Sequence, residues 1–343
     1  MPLQDAAKRH LPTWKPVEAQ CIGEVQFSLL QWSSSFAHAV VNSKAAILHT
    51  HGIWQHPSIV ALAWKEKNGR PHVASVHGML DPWPWHHRAW KKRPVWWLWE
   101  RRNLKTASLL HATSIQEAEA LRARGLRQSI AVIPNGVALP DRLELISPQQ
   151  EEGSGKIALF LGRIHPVKGL PLLLEAWAKV RPAGWSLHII GPDECGHKAD
   201  LERLGSKLGL GAVVRFSDVL VGEAKASAFR ESSLFILPSH SESFGIAVAE
   251  ALSYGLPVIT THGTPWSILE FERCGWWVPT HVDGLAIALD DATSRSGEAL
   301  AGMGERGREM VSSRFAWDGI AQQFIDCYQW ILGLGPKPDC VIS

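Results

Sequence analysis

Cysteine is scarce and unpaired. The chain has five, Cys21, Cys195, Cys274, Cys327 and Cys340. The count is odd and the spacings match neither a zinc site nor a disulfide framework, which points to a reducing compartment. No run of eighteen apolar residues occurs, so no spanning helix is expected. The first residues lack the basic-then-apolar pattern of a secretory signal. Neither sign of charge is in excess: 35 Lys and Arg against 33 Asp and Glu leave a formal net charge of +2. That is too small to argue for nucleic acid, and no basic stripe runs along the chain. No GxxxxGK[ST] run is present, which disfavours nucleotide hydrolysis on a Walker loop. Internal repeats and heptads are missing as well.

What is present suits a globular α/β protein. The 343 residues are 45% apolar and 20% charged, enough for two domains that each bury a core. Residues 1–20 are polar, broken by Pro12 and Pro16, and read as an arm or an incomplete start. Helical periodicity over 28–42 is followed by a short strand over 46–49 that runs out at His51-Gly52. A helix over 57–67 stops at Asn68-Gly69, and a strand over 72–76 ends in His77-Gly78. Leu109 to Ala112 is a strand. Ser114 starts a helix with Glu117 in the capping-box position, and 130–133 is a strand that stops at Pro134-Asn135-Gly136. Residues 140–155, with Pro140, Pro148 and Gly153-Ser154-Gly155, read as a linker.

The second half alternates more cleanly. Strands over 156–161, 187–190, 213–216, 234–237, 257–261 and 275–278 are separated by helices over 170–180, 198–208, 222–230 and 244–252. Helices over 282–290, 297–311 and 317–332 follow, the last with Phe324, Tyr328 and Ile331 on one stripe. Alternating strands and helices imply parallel sheets with right-handed crossovers, hence two doubly wound domains.

The densest polar chemistry lies between Pro238 and Pro265. An apolar strand delivers the chain to a loop carrying Glu242, and a helix carries Glu250. Ser241 or Ser243 is placed to cap that helix, and Gly245 lets a ligand approach the backbone. Two carboxylates so spaced suit two hydroxyl-bearing parts of one elongated ligand. Taken as plain structure, Glu250 would be a solvent-facing helix residue. Its neighbours Ala247, Val248, Ala249, Ala251 and Leu252 favour instead an acid that is partnered or faces a ligand.

Arg163 and Lys168 lie in G-R-I-H-P-V-K-G between a strand and a helix, directly after Gly162. Two cations with free helix N–H groups at a sheet edge make a diphosphate site, and they would neutralise a departing phosphate. The plain alternative is two exposed bases in a loop. Gly191-Pro192-Asp193 and Thr261-His262-Gly263-Thr264-Pro265 end neighbouring strands and admit a phosphate to the backbone, although any tight turn needs glycine. His77 ends a strand, where it can donate to a hydroxyl or phosphate. His49, His51 and Asp81 make a metal cluster conceivable, but none of the spacings is a zinc signature and no metal site is assigned.

Tryptophan is abundant, at 17 residues, and it clusters. Trp83, Trp85, Trp90, Trp96, Trp97 and Trp99 alternate with Arg88, Lys91, Lys92, Arg93, Arg101 and Arg102. Two interpretations stay open: an interfacial patch for anionic headgroups or a lipid-linked substrate, or one helix with an aromatic core face and a basic solvated face.

Taken together, G-R-I-H-P-V-K-G, the E-x7-E pair Glu242 and Glu250, the turn before Pro265 and I-P-N-G-V at 133–137 resemble the retaining glycosyltransferases of group 1, family 4. The resemblance covers roughly residues 40–335. H-G-M-L-D-P-W, G-T-P-W and G-W-W-V are similar to a bacterial branch that builds surface polysaccharides. The resemblance implies a GT-B fold, two Rossmann-like domains facing a cleft: an acceptor-side domain over 1–145, a nucleotide-sugar domain over 156–314, and a final helix over 315–333 packing back on the first. It implies that Arg163 and Lys168 hold the donor diphosphate and stabilise it as leaving group. Glu242 would meet the transferred sugar, Glu250 the ribose, and His77 the sugar near the reacting carbon. Gly162, Gly191, Phe244, Gly245, Gly263 and Thr264 would complete the pocket.

The expected donor is a UDP- or GDP-sugar, with no cofactor and no metal, in keeping with the lack of a D-x-D motif. The expected acceptor is a saccharide or lipid-linked saccharide in polysaccharide or lipopolysaccharide biosynthesis. The expected location is cytoplasmic, peripheral at the inner face of the plasma membrane through residues 83–102. The family's opening strand and glycine-rich loop are not found before residue 40, so the first domain reads as shortened: either residues 1–30 replace the missing unit, or its sheet edge is exposed and needs a partner or a second copy to cover it. Two alternatives stand beside transfer: a donor-binding subunit without turnover, and a sugar-nucleotide epimerase on the same fold.

Overall fold

Apolar runs of four to six residues, each closed by glycine or a polar turn, become strands, and the amphipathic stretches between them become helices that cover both sheet faces. The computed structural model describes residues 30–141 and 155–343. The polar arm over 1–20, most of the 140–155 linker, and the expectation of a shortened start to the first domain therefore lie outside the described residues. The chain divides into two α/β units. One comprises residues up to Ala112, Glu117–Val132 and Ile325–Ser343; the other comprises Thr113–Gln116 and Ile133–Phe324.

In the first unit the strands are β1 (Leu48–His51), β2 (His72–Ser75), β3 (Leu109–Ala112), β4 (Ile130–Val132) and β11 (Val341–Ile342). They lie in the order β1-β2-β3-β4-β11. The first four are parallel, and β11 runs antiparallel to β4. An all-parallel sheet was expected here, so β11 is a correction. A two-residue strand carries no periodicity to read, and it is fixed by Val341, 5% exposed, and by the Val132 amide donating to the Cys340 carbonyl at 2.8 Å. Among the described residues β1 is the other edge of this sheet.

The tryptophan-rich segment is not one helix. It forms helices Pro82–His86, Ala89–Val95 and Arg101–Thr106, with a π-helical turn at Trp96–Glu100. Pro94, inside the second helix, removes a backbone donor. The wider turn then brings both Trp96 and Glu100 inward, at 5% and 0% exposure. Glu100 is held by the Trp54 amide at 2.8 Å and the Asn103 side chain at 3.0 Å.

The second unit is wholly parallel. Its strands are β5 (Lys156–Leu161), β6 (Trp185–Ile190), β7 (Val214–Ser217), β8 (Leu234–Leu237), β9 (Val258–Thr261) and β10 (Gly275–Val278), in the order β10-β9-β8-β5-β6-β7. Read from the first strand of the unit, this is the doubly wound 3-2-1-4-5-6 order, which reverses direction between β5 and β8. The central strands β8 and β9 are buried along their whole length, as parallel strands covered on both faces must be. Helix Gly297–Arg314 lies against helix Ile246–Ser253 with no room to spare. A Cβ at Gly304 would fall inside the van der Waals radius of the Gly255 carbonyl, and one at Gly307 would press on the Leu252 side chain.

Candidate active site

The order reversal between β5 and β8 opens a crevice at the carboxyl ends of those strands, where open α/β sheets take their ligands. The sequence places G-R-I-H-P-V-K-G after β5 and P-S-H-S-E-S-F-G after β8. Three backbone hydrogen bonds tie the loops together. The His240 amide donates to the Val167 carbonyl at 2.8 Å, the Glu242 amide to Gly263 at 2.8 Å, and the Ile164 amide to Pro192 at 2.8 Å. Glycine is required where these loops meet. A Cβ at Gly169, whose φ is 65°, would strike the Pro238 carbonyl, and one at Gly263 would strike Ser239 and His240. Gly191 likewise lies against the Gly162 carbonyl.

At the centre stand Lys168 and Glu242, each side chain 13% exposed and joined in an ion pair. The same Glu242 oxygen accepts the Ser239 hydroxyl at 2.6 Å. A carboxylate in this state has its charge matched and its geometry fixed, so it can meet a ligand hydroxyl without first reorganising. Arg163 donates to Glu194 at 2.8 Å and is 57% exposed, so its guanidinium is reachable from solvent. Glu250, on helix Ile246–Ser253, accepts from Lys225 at 2.6 Å, with both side chains about a quarter to a third exposed.

Two expected contributors are internal. The Phe244 ring is 4% exposed and packs on Trp266 and Phe315 at centroid distances of 5.3 and 5.6 Å, and its carbonyl accepts the Trp266 indole N–H at 2.5 Å. The Thr264 hydroxyl is fully buried and donates to the Thr261 carbonyl at 2.9 Å. What these residues offer a ligand is backbone. The expected serine cap is corrected. The helix begins at Ile246, its N-cap is Gly245 at φ 78°, and no side chain caps it, because the loop is held by its ties to Val167 and Gly263 and continues past both serines.

Ser239, Glu194 and Lys225 did not emerge from the sequence. Ser239 lies in the polar loop next to a recognised acid. Glu194 had a signal, since β5 and β6 are neighbours and the bridge between Ile164 and Asp193 puts the next residue beside Arg163. Lys225 had none, because its helix, Glu223–Arg230, meets Glu250 only through the tertiary fold.

His77 belongs to the first unit, at the carboxyl end of β2, with φ 54°. Its Nε2 is 2.9 Å from His51 Nδ1, and the two rings stack with centroids 5.2 Å apart. Burial holds the His77 imidazole below its ordinary pKa, partly offset by Glu117. Glu117 accepts the Gly78 amide at 2.6 Å. Among the described residues no group of three or more His, Cys, Asp or Glu side chains is arranged to hold a metal ion. The neighbouring histidines meet as rings and hydrogen-bond partners instead.

Comparison with known proteins bears on this geometry. The family model for Glycosyltransferase Family 4 matches residues 17–139, and the model for Glycosyl transferases group 1 matches residues 141–310. The chain is a GT-B-fold glycosyltransferase, homologous to members of these families. The Glycosyltransferase Family 4 match starts at residue 17, upstream of residue 40, where the motif resemblance begins. A relative from Xanthomonas campestris, GDP-mannose:cellobiosyl-diphosphopolyprenol alpha-mannosyltransferase, is 29% identical over 297 residues, covering 84% of this chain and 75% of the relative. The D-inositol 3-phosphate glycosyltransferase of Streptomyces avermitilis is 31% identical over 252 residues, covering 67% of this chain. The chain spans about half of that relative's length, 53%. Among solved structures, Anabaena Alr3699/HepE in complex with UDP and glucose superposes with a TM-score of 0.77 at 22% identity, covering 95% of this chain and 89% of that one.

Proposed function

We propose that this glycosyltransferase moves a sugar from a UDP- or GDP-sugar to a saccharide or lipid-linked acceptor, without a metal and with the donor's anomeric configuration kept, as a step in bacterial surface-polysaccharide or lipopolysaccharide assembly. The observation that carries this is the juxtaposition at the switch point: Lys168 paired with Glu242 in a largely enclosed place, with Arg163 at the end of the adjoining strand. Lys168 and Arg163 take the diphosphate and neutralise the charge that grows on it as the anomeric C–O bond breaks. Glu242 accepts hydroxyls of the transferred sugar and Glu250 those of the ribose, while Gly162, Gly191, Gly245, Gly263 and Thr264 present backbone to the donor. His77 meets the sugar near the reacting carbon. The acceptor oxygen bonds the anomeric carbon on the face the phosphate leaves, and its proton passes to the departing phosphate oxygen. A relative named for GDP-mannose and a diphosphopolyprenol-linked acceptor supports this donor and acceptor class.

The acceptor class also gives the tryptophan segment a role. Trp90, Trp97 and Leu98 are 73%, 70% and 73% exposed, with the Lys91 ammonium over Trp90 and the Arg101 guanidinium over Trp97. Exposed aromatics set among cations suit an anionic lipid surface, and we place the protein there peripherally. None of the described helices is long and apolar enough to cross a membrane. A second copy over the edge strand β1 completes the proposal, and a monomer by light scattering would remove that part.

The test is product analysis. The purified chain is incubated with UDP- and GDP-sugars and a polyprenyl-diphosphate saccharide, and the new linkage is assigned by NMR. Transfer with the donor's anomeric configuration is expected. An inverted linkage overturns retention, and a free epimerised sugar nucleotide without acceptor would establish the epimerase alternative.

A further inference from the structure

The cysteine spacings carry no framework, yet the fold brings two cysteines into contact at the end of the chain. Cys327 lies on helix Trp317–Ile331, and Cys340 directly precedes β11. They are 13 residues apart in sequence, and their Sγ atoms are 3.7 Å apart. The return path is built locally. Past the helix, Gly333 takes a φ of 74°, which suits a residue without Cβ, and the Leu334 amide donates to the Gln329 carbonyl at 2.8 Å. Pro336 and Pro338 carry the chain back, and the Val341 amide donates to the Pro338 carbonyl at 3.0 Å. The Cys340 carbonyl accepts the Val132 amide at 2.8 Å, so Cys340 touches a helix through its side chain and β4 through its backbone. Both cysteines lie in Ile325–Ser343, part of the first unit.

The two thiols differ in access. Cys327 is 1% exposed, whereas Cys340 is half-buried. Cys195 and Cys274, the other cysteines among the described residues, belong to the second unit. An S–H···S contact is a weak hydrogen bond. A disulfide is about 2.05 Å long, so the sulfurs need a further approach that side-chain rotation supplies, with the strand left in place.

We propose that Cys327 and Cys340 form a redox modification site: a low-molecular-weight disulfide such as oxidised glutathione enters at Cys340, and the pair closes to an intramolecular disulfide that ties β11 to the helix. The Cys340 thiolate attacks one sulfur of the small disulfide, and one small thiolate leaves. The Cys327 thiolate then attacks Cys340 Sγ, the Cys327–Cys340 bond forms, and the second small thiolate leaves. Two protein thiols are oxidised, the small disulfide is reduced to two thiols, and the two cysteine protons end on them. Burial raises both thiol pKa values, that of Cys327 to about 12. Little thiolate is present at neutral pH, so closure is slow. The same sulfurs leave poorly, so the bond, once made, is slow to be reduced. The site therefore answers sustained rather than brief oxidation.

The test incubates the full chain at neutral pH with defined ratios of reduced to oxidised glutathione, quenches free thiols by alkylation, and reads intact mass and peptide maps. Wild type is run beside Cys327→Ser and Cys340→Ser, with exposed Cys195 as the internal control for reagent. The wild type should lose two hydrogens and yield one cross-linked peptide joining Cys327 to Cys340. Cys327→Ser should stop with one glutathione on Cys340, and Cys340→Ser should carry none on Cys327. A wild type that keeps glutathione on Cys340 without the cross-link overturns the proposal, as does a pair left untouched where Cys195 is modified. Hydrogen exchange gives the second readout. The Val132 and Val341 amides should exchange about tenfold slower or more in the oxidised wild type than in the reduced one. Equal rates would overturn the tie of β11 to the helix. Should a serine variant fail to fold, the wild-type cross-link and exchange decide. Neither readout depends on sugar transfer.

Discussion

Lys168 and Glu242 carry most of the chemistry assigned to single side chains. Replacing Lys168 by Ala removes the cation but leaves Glu242 the Ser239 hydroxyl, so the loop keeps an anchor. The expected result is a kcat/KM lower by about 100-fold or more, the scale of losing one charge-stabilising donor, with melting little changed. Glu250→Gln should act differently. On the proposed placement of Glu250 at the ribose it weakens a ground-state contact, so the donor KM should rise more than kcat falls. Steady-state kinetics on the two variants separate these roles.

The first unit's titrating residues make a pH prediction with two limbs. Burial first, then neighbouring histidines, hold His49 down at about 3, and burial with Lys65 nearby holds His72 down at about 4. The unfolded chain therefore binds these protons first, and stability present above the ordinary histidine pKa of about 6.5 is lost as pH falls below it. Asp81 works the other way. Burial and Glu117 raise it to about 7, so its neutral form favours the fold at low pH and that contribution fades as pH climbs from about 4 through 7. Urea unfolding across pH 4–8 should show the acid limb flattened in His49→Gln and the upper limb flattened in Asp81→Asn. Parallel curves for wild type and variants would contradict both assignments.

At the scale of elements, the helix that carries Glu250 is held from behind. Gly304 and Gly307 let helix Gly297–Arg314 sit directly on it. Gly304→Ala should cost about 1–3 kcal/mol through overpacking, seen as a lower melting temperature, and should weaken donor binding because the helix Ile246–Ser253 must shift. The tryptophan segment yields a second element-scale prediction. Changing Lys91, Arg93 and Arg101 to Glu should release the protein from anionic liposomes in flotation, whereas Lys92 is left alone because it bonds the Pro84 carbonyl. Unchanged partitioning would remove the membrane role.

These elements also show where sequence stops being informative. Strand β5 and helix Leu170–Val180 were legible to the residue, because apolar runs bounded by glycine encode their own ends. The π-turn at Trp96–Glu100 was not, since its register is set by which tryptophans the core around Trp54 and Trp85 accepts. The start of helix Ile246–Ser253 was misplaced for a similar reason: two serines offered a cap that loop ties to distant backbone overrode.

Across the whole molecule, parallel α/β architecture followed from alternation alone, and the 3-2-1-4-5-6 order then put the two most distinctive loops side by side. Lys168 and Glu242 are 74 residues apart, so their pairing could be suspected from motif chemistry but only the sheet order explains it. The partners Lys225 of Glu250 and Tyr328 of His49 remained hidden because no local pattern links them. Strand β11 was hidden too, being too short to have a period. The near-neutral net charge of +2 supplies little global field, so the proposed donor recognition depends on the local cations at the switch point.

That dependence can be measured directly. Release of UDP or GDP from a matched sugar donor is followed with and without a polyprenyl-diphosphate saccharide, for the wild type and for Lys168→Ala of equal melting temperature. Acceptor-dependent release by the wild type, reduced about 100-fold in Lys168→Ala, is the predicted result. Release by Lys168→Ala at the wild-type rate would contradict the placement of the leaving group at the switch point of the second unit.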